Sequence, residues 1–122
     1  MAFSLAREEN NIIKVVFNDA VDFQQRVAAV DQVCQLVQEG EVVKLLVDLS
    51  HFENLMTLDE QEKFGIYLAS QDELENAKVA FVTAHACSEN VIVEAVAFTN
   101  GYQVVNFHSL KDAQAWLLGE FN

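Results

Sequence analysis

Val42-Val43-Lys44-Leu45-Leu46-Val47-Asp48-Leu49-Ser50, running on through His51-Phe52-Glu53-Asn54-Leu55-Met56 to Thr57-Leu58, is the stretch on which the fold turns. Its first part is apolar without clean alternation. Such runs belong to strands covered on both faces, as in a parallel sheet. The run ends in Asp-Leu-Ser, and a polar turn over Ser50–Asn54 is expected before a new helix begins at Thr57. In open α/β sheets, function gathers just beyond the carboxyl ends of the strands. The segment after Leu49 therefore marks the working edge.

Outward from this strand the pattern repeats. On its N-terminal side, Asp22 opens a helix with Gln25 three residues on as reciprocal cap. Phe23, Val27, Val30, Cys34 and Val37 follow as one apolar stripe, and Gly40 stands where a left-handed C-terminal cap belongs. Before that helix, Phe3–Arg7 and Ile12–Phe17 form a hairpin around Glu9-Asn10-Asn11. On the C-terminal side, Thr57-Leu58-Asp59-Glu60 is a capping box whose helix carries Phe64, Tyr67 and Leu68 on one side. Lys78–Thr83 is a further buried strand, Ser88–Thr99 a helix buried on a wide face, and Gln103–Phe107 a last strand. Ser109-Leu110-Lys111-Asp112 opens a closing helix with Leu110, Ala113, Trp116 and Leu117 inward. The order is β-β-α-β-α-β-α-β-α, an α/β sandwich whose mostly parallel mixed sheet carries an antiparallel N-terminal hairpin.

The 122 residues are enough for one domain, 1–122, burying roughly two-thirds of its unfolded surface. A hydrophobic share of 52% argues for a packed core in spite of a net charge of −12. Nineteen acidic against seven basic residues disfavour nucleic acid and anionic membrane surfaces, both polyanions. A basic protein surface is the partner that this charge prefers. The acid is concentrated: Glu53, Asp59, Glu60, Glu62, Asp72, Glu73 and Glu75 stand against Lys63 alone between Glu53 and Asn76. That segment should present a solvated negative face. No apolar run approaches the ~18 residues of a membrane span, so no integral membrane segment is expected. Cys34 and Cys87 fit neither a disulfide framework nor a paired metal spacing, which points to a reducing, cytoplasmic location.

The element order, with Leu45-Leu46-Val47-Asp48-Leu49-Ser50 leading into a helix about seven residues later, resembles the STAS fold of the anti-sigma-factor antagonists. The closing stretch Phe107-His108-Ser109-Leu110-Lys111-Asp112-Ala113-Gln114-Ala115-Trp116-Leu117 resembles the SpoIIAA-like (STAS/SEC14-related) family of small bacterial proteins, and Lys78-Val79-Ala80-Phe81-Val82 matches that family's fourth strand. The resemblance spans essentially the whole chain and implies a STAS/SpoIIAA-like sandwich. In the antagonist branch the turn after the third strand reads Asp-Ser-Ser-Gly, and one serine there accepts phosphate from a partner kinase. That turn falls on Met56-Thr57-Leu58-Asp59 here. Only Thr57 offers a hydroxyl; the aspartate, the second serine and the glycine are missing. A phosphate on Thr57 would sit at a helix N-terminus but beside Asp59 and Glu60.

Three functional readings follow. The first is a non-catalytic regulatory interaction module whose contact or phosphoacceptor surface is built from Asp48, Ser50, His51, Phe52, Leu55, Met56 and Thr57. Phe52, Leu55 and Met56 would be apolar anchors in an exposed turn. The second, implied by the SEC14-related resemblance, is a carrier or sensor of a small apolar ligand. Its slot would lie under the helix at Phe64, Gly65, Tyr67 and Leu68, where Gly65 costs around 1 kcal/mol relative to alanine. The third is an enzyme or metal site that joins Asp48, His51, His85 and Cys87 at one sheet edge. His-x-Cys has no established ligand spacing, and no glycine-rich phosphate loop exists, so neither enzyme chemistry nor a cofactor is expected. The opening hairpin leaves an edge strand through which a homodimer could pair.

Overall fold

The computed structural model describes residues 3–8, 10–84 and 103–119. Five strands form one sheet in sequential order: β1 (Phe3–Arg7), β2 (Ile13–Val21), β3 (Lys44–Asn54), β4 (Lys78–Val82) and β5 (Gln103–Phe107). β1 pairs antiparallel with β2, and every later pair is parallel. The mixed, mostly parallel sheet with its N-terminal hairpin is therefore as expected. The hairpin turns tightly, with Asn11 at φ 67° and its N–H donating to the Glu8 carbonyl at 3.0 Å. Asparagine tolerates this left-handed backbone better than most residues.

The described α-helices are α1 (Phe23–Leu36), α2 (Leu58–Ala69) and α3 (Leu110–Leu117). Each is started by its own side chains. Asp22 and Gln25 exchange hydrogen bonds at 2.8 Å each, Thr57 and Glu60 do so at 3.0 and 3.1 Å, and the Ser109 hydroxyl accepts from the Asp112 N–H at 3.4 Å. These caps satisfy amides that the first turn of a helix leaves open. Gly40 does adopt a left-handed φ of 78°, yet α1 ends earlier, with Val37 as its C-cap. The glycine shapes the loop to β3 instead. The helix expected over Ser88–Thr99 lies outside the described residues.

The sheet separates two cores. Phe17, Val30, Val33, Leu45, Val47, Phe64, Leu68 and Phe81 belong to the larger, between the sheet, α1 and α2. Ile12, Leu46, Ala80, Val82, Ala113 and Leu117 make the smaller, beneath α3. Leu45 and Leu46 thus serve opposite faces, as successive strand residues must, and both are buried. Two expected inward faces are rotated. On α1 the buried residues are Arg26, Ala29, Val30 and Val33, while Phe23, Val27, Cys34 and Val37 are only partly covered. On α3, Ala113 and Leu117 are buried and Trp116 half-buried, but Leu110 is 37% exposed. Trp116 packs on Phe107 at 6.0 Å and receives Lys78 over its ring at 4.6 Å.

Candidate functional site

The segment after Asp48 is strand, not turn. β3 runs to Asn54, and its last residues pair in parallel with Asn18, Asp19, Ala20 and Val21 of β2. A bulge makes this extension: Val16 lies opposite Asp48 and Asn18 opposite His51, so β3 takes three steps where β2 takes two. The Asp48 carboxylate braces it, accepting from the Ser50 N–H at 3.0 Å and the Ser50 hydroxyl at 2.6 Å. A bulge re-aims the side chains beyond it. Leu49 and Phe52 are three residues apart, a separation that would put them on opposite faces of an unbroken strand. Both pack into the larger core.

Phe52 reaches that side to join a cage around Arg26. The guanidinium lies 5.2 Å from the Phe17 ring centroid, 6.0 Å from that of Phe52 and 4.6 Å from that of Phe64. A planar cation facing aromatic faces is attracted by their quadrupoles, the more so when desolvated. Arg26 is only 2% exposed, and burial pushes its pKa down to about 9. An arginine on an apolar stripe is ordinarily read as the solvent side of a helix. The signal that could have found it is the spacing Arg26-Ala29-Val30-Val33, which makes as good an inward face as the one expected.

The three anchors expected in an exposed turn part company. Leu55 is 52% exposed, Phe52 is half-buried in the cage, and Met56 is buried at 6%. The Met56 N–H donates to the Asn54 side chain at 3.0 Å. Its carbonyl accepts from Asn54 Nδ2 at 3.3 Å and from the buried Gln61 Nε2 at 3.4 Å. Leu55 is tied back by its N–H to the Val21 carbonyl at 2.9 Å. These bonds turn Met56 inward and leave Leu55 outside.

α2 then presents two unlike sides. Gln61, Phe64, Gly65 and Leu68 are buried beneath it. Outward stand Leu58, 71% exposed, and Ile66, 53% exposed, with exposed Glu62 between them at helical spacing. Residues four apart lie one above another on a helix face, so Leu58, Glu62 and Ile66 form a single stripe. Asp59, exposed beside it, holds Lys63 at 3.0 Å. Neither Leu58 nor Ile66 was singled out from the sequence, although their spacing is visible there.

The slot expected under α2 is nearly closed. The cavity between α1, α2 and the sheet has a volume of about 20 Å³ and is lined by Phe17, Arg26, Val30, Leu45, Phe64 and Phe81 among others. Ligand pockets run to roughly 300–1,000 Å³, so this space is far too small for an acyl chain. Tyr67 is turned to the helix pair: its hydroxyl donates to Asp31 of α1, and that bond, with burial, raises its pKa to about 12. Cys34, between the same helices, has its thiol pushed up to about 11 by burial and by the charges of Glu73 and Asp31. It stays protonated at neutral pH and is a poor nucleophile.

Of the four residues proposed for a metal or thiol site, Asp48 is buried at 7% and engaged with Ser50, and His51 is exposed. His85 and Cys87 lie outside the described residues. Among the described residues, no three His, Cys, Asp or Glu side chains are grouped to hold a metal ion.

A family model described as SpoIIAA-like matches residues 12–118. The chain belongs to the SpoIIAA-like family. Among solved structures, an uncharacterized protein of the DUF3478 family from Shewanella loihica PV-4, itself with a SpoIIAA-like fold, is similar at a TM-score of 0.61 and 16% identity. The match covers 95% of this chain and 92% of that one. No curated protein matches. At this identity the solved structure speaks for the fold alone: the SpoIIAA-like chain keeps its relative's architecture with a largely different sequence. None of its described helices is long and apolar enough to cross a membrane.

Proposed function

We propose that this SpoIIAA-like chain is a non-catalytic regulatory module that binds a basic protein surface through the outer side of α2. Family membership supports a non-enzymatic regulatory module in general. The contact surface would be this chain's own: Leu55, Leu58 and Ile66, 52%, 71% and 53% exposed, with the exposed carboxylate of Glu62 between the last two. Large apolar side chains clustered on a rigid, well-capped helix and rimmed by charge are the anatomy of a protein contact. Asp48, Ser50, Phe52 and Met56 act here from behind. They hold the end of β3 and the start of α2, and His51 and Thr57 lie at the rim.

Phosphorylation of Thr57 would act by breaking a structure that already uses the hydroxyl, because Thr57 Oγ1 accepts the Glu60 N–H. Carriage of a small apolar ligand would require α2 to lift from the sheet, and the buried faces of Phe64 and Leu68 oppose that.

The test is affinity purification of the tagged chain from its own cells beside Leu58→Glu and Ile66→Glu variants. A protein retained by the parent and lost by both variants is the expected result. A partner that both variants retain equally would place the contact elsewhere.

A further inference from the structure

The α2 surface also constrains the shape of what it holds. The stripe Leu58, Glu62, Ile66 runs along a helix whose backbone groups are spent within it, so it offers no strand edge for an extended peptide to pair with. From Leu58 to Ile66 the ridge rises about 12 Å, or about two turns. A ridge of side chains at i, i+4 and i+8, here Leu58, Glu62 and Ile66, is matched by the groove of another helix. Charge selects further: Glu62 stands exposed within the ridge and Asp59, paired with Lys63 at 3.0 Å, stands exposed beside it, on a chain of net charge −12. An anionic lipid surface would be repelled by the same carboxylates.

We infer that the occupant is a cationic amphipathic helix of a partner protein. Its leucine-like stripe lies across Leu58 and Ile66, and its lysines or arginines stand opposite Glu62. This rests on the docking role of α2 given above and names the partner segment that the role requires. Because the ridge is preformed and held from below by Phe64 and Leu68, ordering falls on the partner's segment, which folds as it docks.

The test places a photoreactive amino acid at Leu58 or at Ile66 of the full chain in its own cells, followed by sequencing of the crosslinked segment. A synthetic peptide of that segment is then titrated with the parent protein. The expected segment carries net positive charge with apolar residues at spacings of three and four. It gains helix on binding and binds roughly tenfold or more weakly to Leu58→Glu and to Glu62→Lys. Its affinity falls as salt is raised.

A crosslinked segment that is acidic, or alternates as a strand, or binds without gaining helix, overturns the inference and leaves the docking role of α2 standing. Failure of both positions to crosslink any protein, while the whole chain still captures one, overturns both.

Discussion

α2 and α3 start in the same way and end differently. Each is opened by a hydroxyl that accepts an amide three residues on, and each fixes two large or small apolar residues against the sheet: Phe64 and Leu68 for α2, Ala113 and Leu117 for α3. On the outer side they diverge. α3 leaves only Leu110 exposed among its large apolar residues, at 37%, whereas α2 leaves Leu58 at 71% and Ile66 at 53%, with Leu55 just before it. Folding explains the inner residues of both helices. It does not explain the outer ones of α2, since an exposed leucine or isoleucine there adds no burial. The difference separates what this chain needs in order to fold from what the proposed docking role would use.

The largest expected effect lies on the inner sides. Phe64→Ala removes a ring from both the core and the Arg26 cage and should cost about 3–5 kcal/mol in urea unfolding. Leu117→Ala under α3 should cost about 2–5 kcal/mol by the same loss. A Phe64→Ala cost below about 1 kcal/mol would mean that α2 is not held from beneath as described.

Next come the starts of the helices. Thr57→Ala removes the hydroxyl that accepts the Glu60 N–H at 3.1 Å, keeps the bond from its own backbone N–H to Glu60, and should destabilise by about 1 kcal/mol; Ser109→Ala, which loses a longer bond of 3.4 Å, should cost less. Equal losses on thermal unfolding would remove that distinction.

A smaller, pH-dependent effect serves as a control remote from both helices. Arg7 of β1 holds Glu41 in a bidentate pair at 2.7 and 3.0 Å, which lowers the Glu41 pKa through the side-chain hydrogen bond. A carboxylate with a depressed folded pKa adds stability above its unfolded value and loses it as pH falls through the folded one. Arg7→Ala should therefore cost up to about 1 kcal/mol at neutral pH, and the gap to the parent should close in acid. A gap that persists unchanged at low pH would assign the loss to packing instead.

The smallest stability effect is expected where the binding effect is greatest. Leu58→Glu and Ile66→Glu should leave unfolding within about 0.5 kcal/mol of the parent, the range for exposed positions. A large loss for either would show the outer side of α2 to be part of the fold after all.

Much of this architecture was legible in residue order because the signals are local. The Asp22–Gln25, Thr57–Glu60 and Ser109–Asp112 pairs each act across three residues, so each helix start announces itself wherever the chain later goes. The unalternated apolar runs of β3 and β4 likewise require cover on both faces. The working end of β3 was less legible. Ser50 to Asn54 is polar enough to read as a turn, and only the ladder to Asn18–Val21 of β2 keeps it extended. Met56 looked exposed because its neighbours are polar, and it is buried because Asn54 and Gln61 bind its backbone.

Sequence by itself determined the helix starts, the alternation of strands and helices, and an acidic surface that disfavours polyanions. Each of these depends on neighbours along the chain or on composition. Tertiary structure alone decided that Arg26 lies among Phe17, Phe52 and Phe64, that a bulge at Leu49–Ser50 swings Phe52 to join them, and that Leu58 and Ile66 remain outside. Those outcomes depend on residues far apart in the chain, in a balance of burial against solvation that no local pattern records.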